Sequence, residues 1–157
     1  MNGLKIYAMS KVNLGLDVIR RREDGYHEVR MIMQTLNLCD ELKITKREDE
    51  NIVITCNLEG LECDENNLIY KAAKKLMDAS GVRSGLDIHL EKKIPVAAGM
   101  AGGSTDAAAT LVGVNELLEI NCSVDKLKEI GVTIGADVPY CIEGGTQLSE
   151  GIWSGCS

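Results

Sequence analysis

The central segment of the chain reads Pro95-Val96-Ala97-Ala98-Gly99-Met100-Ala101-Gly102-Gly103-Ser104-Thr105-Asp106. Alternating apolar residues over 86–90 predict a strand that leads into this segment, and a helical pattern begins near Ser104. Small residues let the backbone approach a ligand closely, and the first N–H groups of a helix have no partner within it. Those amides and the positive end of the helix dipole attract anions. The segment therefore predicts a site for a phosphate group.

The glycine spacing distinguishes this segment from the two common nucleotide-binding signatures. A P-loop ends in Gly-Lys-Ser or Gly-Lys-Thr, and no lysine is present between Pro95 and Asp106. The dinucleotide-binding fingerprint is Gly-x-Gly-x-x-Gly, whereas the glycines here are spaced Gly-x-x-Gly-Gly. The alternative interpretation is a tight connection from strand to helix without a ligand.

The composition is that of a single acidic domain. The chain has 157 residues, of which 17 are Lys or Arg and 24 are Asp or Glu, so its formal charge is −7. With 45% apolar residues it has the material for a core. The charge excludes a general nucleic-acid partner, because such a protein needs an excess of Lys and Arg to displace counterions. A small phosphorylated ligand stays allowed, since backbone amides can hold it.

The sequence shows neither a secretory signal nor an apolar run long enough to span a membrane. Six cysteines are scattered without Cys-x-x-Cys spacing, which indicates reduced thiols rather than a disulfide framework or a zinc site. We therefore expect a cytoplasmic protein without a membrane partner.

Strand patterns dominate the first third of the chain. Alternation with period two predicts a strand over 12–18, and the runs 29–38, 42–45 and 52–56 indicate further strands. Charged turns are expected between them, one of them at Asp40-Glu41.

Helical patterns follow in the rest of the chain. Apolar spacing over 68–77 predicts a helix that an asparagine at 66–67 caps and that Gly81 ends. A second helix is predicted to follow Ser104 and a third to follow Ser123. Strands first, and then helices mixed with strands, predict an α+β layered domain.

Three further groups of polar residues are candidates for a site. Asp137, within Gly135-Ala136-Asp137-Val138-Pro139, lies between a small-residue turn and a proline, and a helix cap is its alternative role. Lys11 and Asn13 share one face of a predicted strand, and solvent exposure is the alternative there. Tyr26-His27 follows an Asp-Gly turn, for which ordinary aromatic packing is the alternative. His89 is interpreted as a solvent-facing residue without a function.

In their order along the chain, five motifs resemble the GHMP family of small-molecule kinases, named for galacto-, homoserine, mevalonate and phosphomevalonate kinases. The motifs are Ser10-Lys11-Val12-Asn13-Leu14, Asp24-Gly25-Tyr26-His27, Asn67-Leu68-Ile69, the segment from Pro95 to Ala107, and Gly135-Ala136-Asp137-Val138-Pro139. The resemblance extends from about Lys5 to Gly151. It implies the α+β fold of the GHMP kinase N-terminal domain, a layered sheet with helices that is similar to a domain of ribosomal proteins.

The resemblance implies a role for each matching residue. It implies ATP contacts from the glycine-rich segment and one asparagine, namely Asn67, Pro95, Ala98, Gly99, Ala101, Gly102, Gly103, Ser104 and Thr105. It implies that Asp137 is the catalytic carboxylate and that Lys11 pairs with it. It implies substrate contacts from Asn13, Tyr26 and His27.

The resemblance also implies the reactants. They are ATP with Mg²⁺ and a small-molecule substrate, cytidine diphosphate methylerythritol, whose 2-hydroxyl would receive the γ-phosphoryl group. Which of Ser104, Thr105 and Asp106 contacts the Mg²⁺ stays open. The alternatives are another GHMP small-molecule kinase and a non-catalytic nucleotide-binding module.

The resemblance divides the chain into an N-terminal ATP-binding domain over 1–151 and a divergent tail over 152–157. The C-terminal domain of the family has no counterpart in this sequence. We therefore expect the face that would pack against that domain to be exposed and to favour self-association. For the same reason, the resemblance does not imply that these residues turn over substrate by themselves.

Overall fold

The structure is a computed structural model. It describes the backbone of residues 2–21, 27–94, 102–144 and 146–149, and the side chains within 2–9, 39–94 and 103–143.

Within these ranges, a mixed five-stranded sheet is combined with four helices. The strands are β1 (Gly3–Arg21), β2 (His27–Arg47), β3 (Ile52–Cys56), β4 (Gly85–Glu91) and β5 (Thr146–Ser149), and the helices are α1 (Leu68–Ser80), α2 (Gly102–Leu117), α3 (Val124–Val132) and α4 (Val138–Gly144). The order in the sheet is β3-β4-β2-β1-β5. Strands β3 and β4 are parallel because α1 crosses between them, and the other neighbours are antiparallel. This arrangement confirms the predicted α+β class.

Helix α2 lies in the core, where it contacts the sheet and the other helices. Its Ala107, Ala108, Ala109, Leu111 and Val114 are all fully buried. Small side chains over most of its surface allow neighbouring elements to approach on several sides at once. The position of its first turn is therefore set by both the sheet and the helical layer.

Three predicted helix ends are confirmed, whereas α2 begins at Gly102 and not at the predicted start near Ser104. The Asn67 side chain caps α1 by accepting a hydrogen bond from the Ile69 N–H, at 2.8 Å. The helix ends at Gly81, whose φ of +75° lies in the left-handed region that glycine adopts readily. Ser123 accepts from the Lys126 N–H and so caps α3, as its sequence position predicted.

One predicted turn is wrong. Asp40 and Glu41 lie within β2, which continues through the two strands expected over 29–38 and 42–45. The strand continues because Asp40 is fully buried and its charge is met by Lys92. An acidic residue in an alternating pattern thus marks a buried ion pair here and not a turn.

Among the described cysteines, the expectation of reduced thiols is wrong at Cys39. This buried residue is disulfide-bonded. Cys56, Cys63, Cys122 and Cys141 are thiols.

Among the described residues, none of the helices is both long and apolar enough to cross a membrane.

Candidate active site

The first turn of α2 is the point at which the predicted site segments meet. The Thr105 hydroxyl donates a hydrogen bond of 2.7 Å to the carbonyl of Met9 in β1. On the other side, a Cβ on Gly135 would lie 3.6 Å from the Ser104 Oγ. The start of the helix is therefore bonded to the strand that bears Lys11 and lies close to the turn that bears Asp137.

Lys11 and Asn13 follow Met9 along β1. They pair with Thr35 and Met33 of β2, in a regular stretch between two irregularities of the register. Two residues of extended chain span about 7 Å. The backbone of Lys11 thus lies within a short distance of the first turn of α2, while the side chains of Lys11 and Asn13 fall outside the described ones.

Asp137 lies immediately before α4 and is exposed. Its carbonyl accepts a hydrogen bond of 3.2 Å from the Cys141 N–H, as the residue that begins a helix does. A Cβ at 135 would lie 3.4 Å from Val138 Cγ2 and 3.6 Å from Ser104 Oγ, which are ordinary van der Waals distances, so this turn lies close to the start of α2 without a steric need for glycine. This position at the end of an element agrees with the sequence prediction. It fits the candidate catalytic role of Asp137 and the alternative role as a helix cap equally well.

Several predicted site residues fall outside the described ones. They are Tyr26, Pro95, Ala98, Gly99 and Ala101. His27 begins β2, where its backbone pairs with Arg21, and Gly102 begins α2. Gly103, Ser104 and Thr105 are described, and they belong to the first turn of α2.

Asn67 has a clear local role. Besides capping α1, its side-chain amide donates a hydrogen bond of 2.6 Å to the Glu62 carbonyl. Both ends of the amide are therefore used in joining α1 to the loop that precedes it. The contact with ATP expected of Asn67 stays a prediction.

Asn67→Ala is expected to destabilise the chain by about 1–2 kcal/mol, because the cap of α1 is lost. Asn67→Asp should recover most of this loss, since a carboxylate oxygen can accept from the Ile69 N–H. Chemical denaturation of the three proteins measures the difference. Asn66→Ala, at the exposed neighbouring position, is the matched control and should change the stability by less than about 0.5 kcal/mol.

A buried group of three charges adjoins this site, and sequence analysis missed it. Lys92 Nζ lies 2.7 Å from Asp40 Oδ2 and 3.1 Å from Asp106 Oδ2. The exposed fractions of the three side chains are 6%, 0% and 5% for Lys92, Asp40 and Asp106. The available signal was the acidic pair Asp40-Glu41 between two apolar runs, together with the lysine pair Lys92-Lys93 after the strand predicted over 86–90.

Burial and mutual attraction shift the pKa values in this group. Burial raises the pKa of Asp106 well above its usual value, the Asp40 carboxyl raises it further, and Lys92 acts in the opposite direction. Burial would lower the pKa of Lys92, but attraction to Asp106 and Asp40 outweighs it, and the pKa is raised. The shifts favour the charged form of Lys92 and oppose ionisation of Asp106.

The described residues do not form a metal centre. No group of three or more His, Cys, Asp or Glu side chains is arranged there to hold a metal ion. Of the three residues predicted for Mg²⁺, Thr105 is fully buried with its hydroxyl on Met9, and Asp106 is bound to Lys92. Neither side chain fits the role, whereas Ser104 is partly exposed at the helix start.

Two curated relatives of this chain carry the same name. The chain is 54% identical over 149 residues to 4-diphosphocytidyl-2-C-methyl-D-erythritol kinase of Caldicellulosiruptor bescii, and the match covers 95% of this chain and 52% of that protein. The protein of the same name from Clostridium perfringens is 56% identical over 149 residues, with the same coverage. The chain thus spans about half the length of the curated relatives it matches.

A solved structure and a family model agree with these relatives. The crystal structure of a 4-(cytidine 5'-diphospho)-2C-methyl-D-erythritol kinase superposes with a TM-score of 0.70 at 35% identity, covering 94% of this chain and 52% of that one. Residues 67–145 match the model of the GHMP kinases N terminal domain, and this range contains α1, β4, α2, α3 and α4. The chain therefore belongs to the GHMP kinase family, and the part of the family that it matches is the N-terminal domain.

Proposed function

We propose that residues 1–151 form the ATP-binding domain of a kinase that phosphorylates the 2-hydroxyl of 4-diphosphocytidyl-2-C-methyl-D-erythritol, in the non-mevalonate route to isoprenoids. The observation that carries the proposal is the meeting of three segments at the first turn of α2. Thr105 bonds to the strand of Lys11, and Ser104 adjoins the turn of Asp137. The identity of over 50% to kinases with this named substrate supports the choice of substrate. The use of ATP agrees with a cytoplasmic location.

The chemistry requires groups of the types found in these segments. A tertiary alcohol is a weak nucleophile, so a carboxylate must accept its proton as the bond to phosphorus forms. We assign this role to Asp137. The ammonium of Lys11 would stabilise the developing alkoxide by its positive charge. Most of the rate enhancement in phosphoryl transfer comes from positioning and charge stabilisation, which is the role of the amides at Gly103 and Ser104.

The remaining assignments concern binding. In the proposal, the segment from Pro95 to Thr105 surrounds the phosphates, with Asn67 near the adenine. Tyr26 and His27 contact the cytosine, and Asn13 lies beside the acceptor hydroxyl. Mg²⁺ would enter with the nucleotide, since this ion is usually held by substrate phosphates and water with few protein ligands. Ser104 is the described side chain that could contact it.

Calorimetric titration tests the binding proposal. The chain is titrated with a non-hydrolysable ATP analogue and Mg²⁺, and then with the cytidyl substrate. Saturable binding of both, with mevalonate and homoserine inactive as competitors of the second, is expected. If the folded chain binds no nucleotide at millimolar concentration, the proposal is wrong.

Asp137→Ala and Lys11→Ala are expected to reduce phosphoryl transfer by about 10²–10⁴-fold, because the proton acceptor or its cationic partner is lost. Affinity for the ATP analogue should change less than threefold. Single-turnover mixing of labelled ATP with excess protein measures slow transfer, and calorimetry measures affinity. Asp78→Ala, which removes an exposed carboxylate on α1, is the control. Loss of nucleotide binding equal to the loss of transfer would contradict the assignment.

A further inference from the structure

The buried charges of Asp40, Lys92 and Asp106 connect three elements at one point. Asp40 lies in β2, Lys92 directly follows β4, and Asp106 lies at the start of α2. Asp40 Oδ1 also accepts hydrogen bonds from the backbone N–H groups of Lys93 and Ile94, at 2.6 and 2.8 Å. One carboxylate thus holds the chain that leaves β4, while the lysine between the carboxylates holds the helix.

The residues that make these contacts lie on both sides of the glycine-rich segment along the chain. Lys92, Lys93 and Ile94 precede Pro95, and Asp106 follows Thr105. The two chain ends that flank residues 95–101 are therefore tied to the same buried group. The tie continues into the proposed site, because Thr105 is itself bonded to Met9 of β1.

The charges of Asp40, Lys92 and Asp106 do not balance, which indicates that these residues do more than stabilise the fold. Two carboxylates and one ammonium leave one negative charge in excess if all three are ionised, and a buried unpaired charge is costly. Asp106 Oδ1 is buried and has no hydrogen-bond partner among the described residues. The raised pKa of Asp106 agrees with a proton on this carboxyl. An apolar side chain of similar size would fill the same space without these costs.

Resting on the function proposed above, we propose that Asp40, Lys92 and Asp106 are positioning residues that hold the first turn of α2 against the end of β4, so that the amides of Gly103 and Ser104 keep the direction that the ATP phosphates require. Asp106 touches no phosphate in this role. It acts through Lys92 on the orientation of the turn in which it lies.

The test compares three substitutions within α2. Asp106→Leu removes the contact with Lys92, and Asp106→Asn keeps an oxygen to accept from Lys92 and matches a protonated carboxyl. Thr110→Val is the matched control, since Thr110 is also fully buried and its hydroxyl bonds only to the Asp106 carbonyl in the described structure. Asp106→Ser, with a shorter side chain, replaces Asp106→Leu if the latter does not fold.

Two quantities are measured at a temperature at which every variant is folded. One is the Kd for the Mg²⁺-loaded ATP analogue, and the other is hydrogen exchange of the amides from Asp106 to Ala109, which close the first turn. Asp106→Leu is expected to weaken nucleotide binding at least tenfold and to increase exchange of these amides at least tenfold. Asp106→Asn should stay within threefold of the parent in both, and Thr110→Val should leave the Kd unchanged.

The outcomes separate this inference from the proposed function. A parent chain that binds no nucleotide refutes the proposed function and, with it, the role toward phosphate. A parent that binds, together with an Asp106→Leu variant of unchanged Kd, refutes the inference alone. A loss of affinity in Thr110→Val equal to that in Asp106→Leu would also refute it, because the effect would then follow from lost stability.

Discussion

Lys92→Met is expected to destabilise the chain by about 3–5 kcal/mol, because it leaves Asp40 buried without its cation. Asp40 is fully buried, so water cannot replace the ammonium that lies 2.7 Å away. Methionine has a similar length but offers no hydrogen-bond donor. For a chain of this size, the midpoint of thermal unfolding should fall by about 10 °C or more. Chemical and thermal denaturation measure the loss.

Two controls separate the ion pair from other effects of the substitution. Lys93→Met changes an exposed lysine, while the Lys93 backbone N–H that bonds to Asp40 is kept, so little change is expected. The double variant Asp40→Asn/Lys92→Met removes both charges, and the side-chain oxygen of the new asparagine can still accept from the two backbone amides. At least half of the lost stability should return. A double variant as unstable as Lys92→Met would mean that packing, and not charge, explains the loss.

Gly85→Ala is the second substitution with a large expected effect. A Cβ at this position would overlap the carbonyl oxygen of Asp49, in the connection between β2 and β3. That connection is held by the Arg47 guanidinium, which donates to both carboxylate oxygens of Asp49 at 2.9 and 2.8 Å. Since a backbone atom would have to move, we expect a loss of about 3 kcal/mol or more.

The comparison with Gly60→Ala isolates the steric origin of this effect. Gly60 has a φ of +86° and open space around its Cβ position, so alanine there costs conformational strain of about 1–2 kcal/mol and no overlap. The Arg47 contact, followed by the Asn51 N–H, lowers the pKa of Asp49 to about 2, so this ion pair is present in denaturation assays at neutral pH. If Gly85→Ala costs no more stability than Gly60→Ala, the connection between β2 and β3 moves more easily than its contacts indicate.

Local signals in the sequence predicted the helix ends well. Asn67 and Gly81 mark the ends of α1, and Ser123 marks the start of α3, because caps depend on hydrogen bonds between residues two to four positions apart. The strand over 52–56 was also predicted at its observed bounds, since one short run rich in β-branched residues lies between two polar segments. The motifs around Lys11, the glycine-rich segment and Asp137 were enough to indicate the family. Each of these inferences uses information held within a few consecutive residues.

The features that the sequence did not predict depend on contacts between residues that are far apart along the chain. Asp40 resembled a turn residue because its partners, Lys92 and Asp106, are 52 and 66 positions further along the chain. The bond from Thr105 to Met9 joins residues 96 positions apart, and no local pattern indicates it. A buried charge is tolerated only where a partner meets it in space, and the first turn of a helix has a direction only once the surrounding elements hold it. The order of residues therefore determined the family and the candidate segments, whereas packing around α2 decided that its first turn bonds to β1 and which buried charges lie beside it.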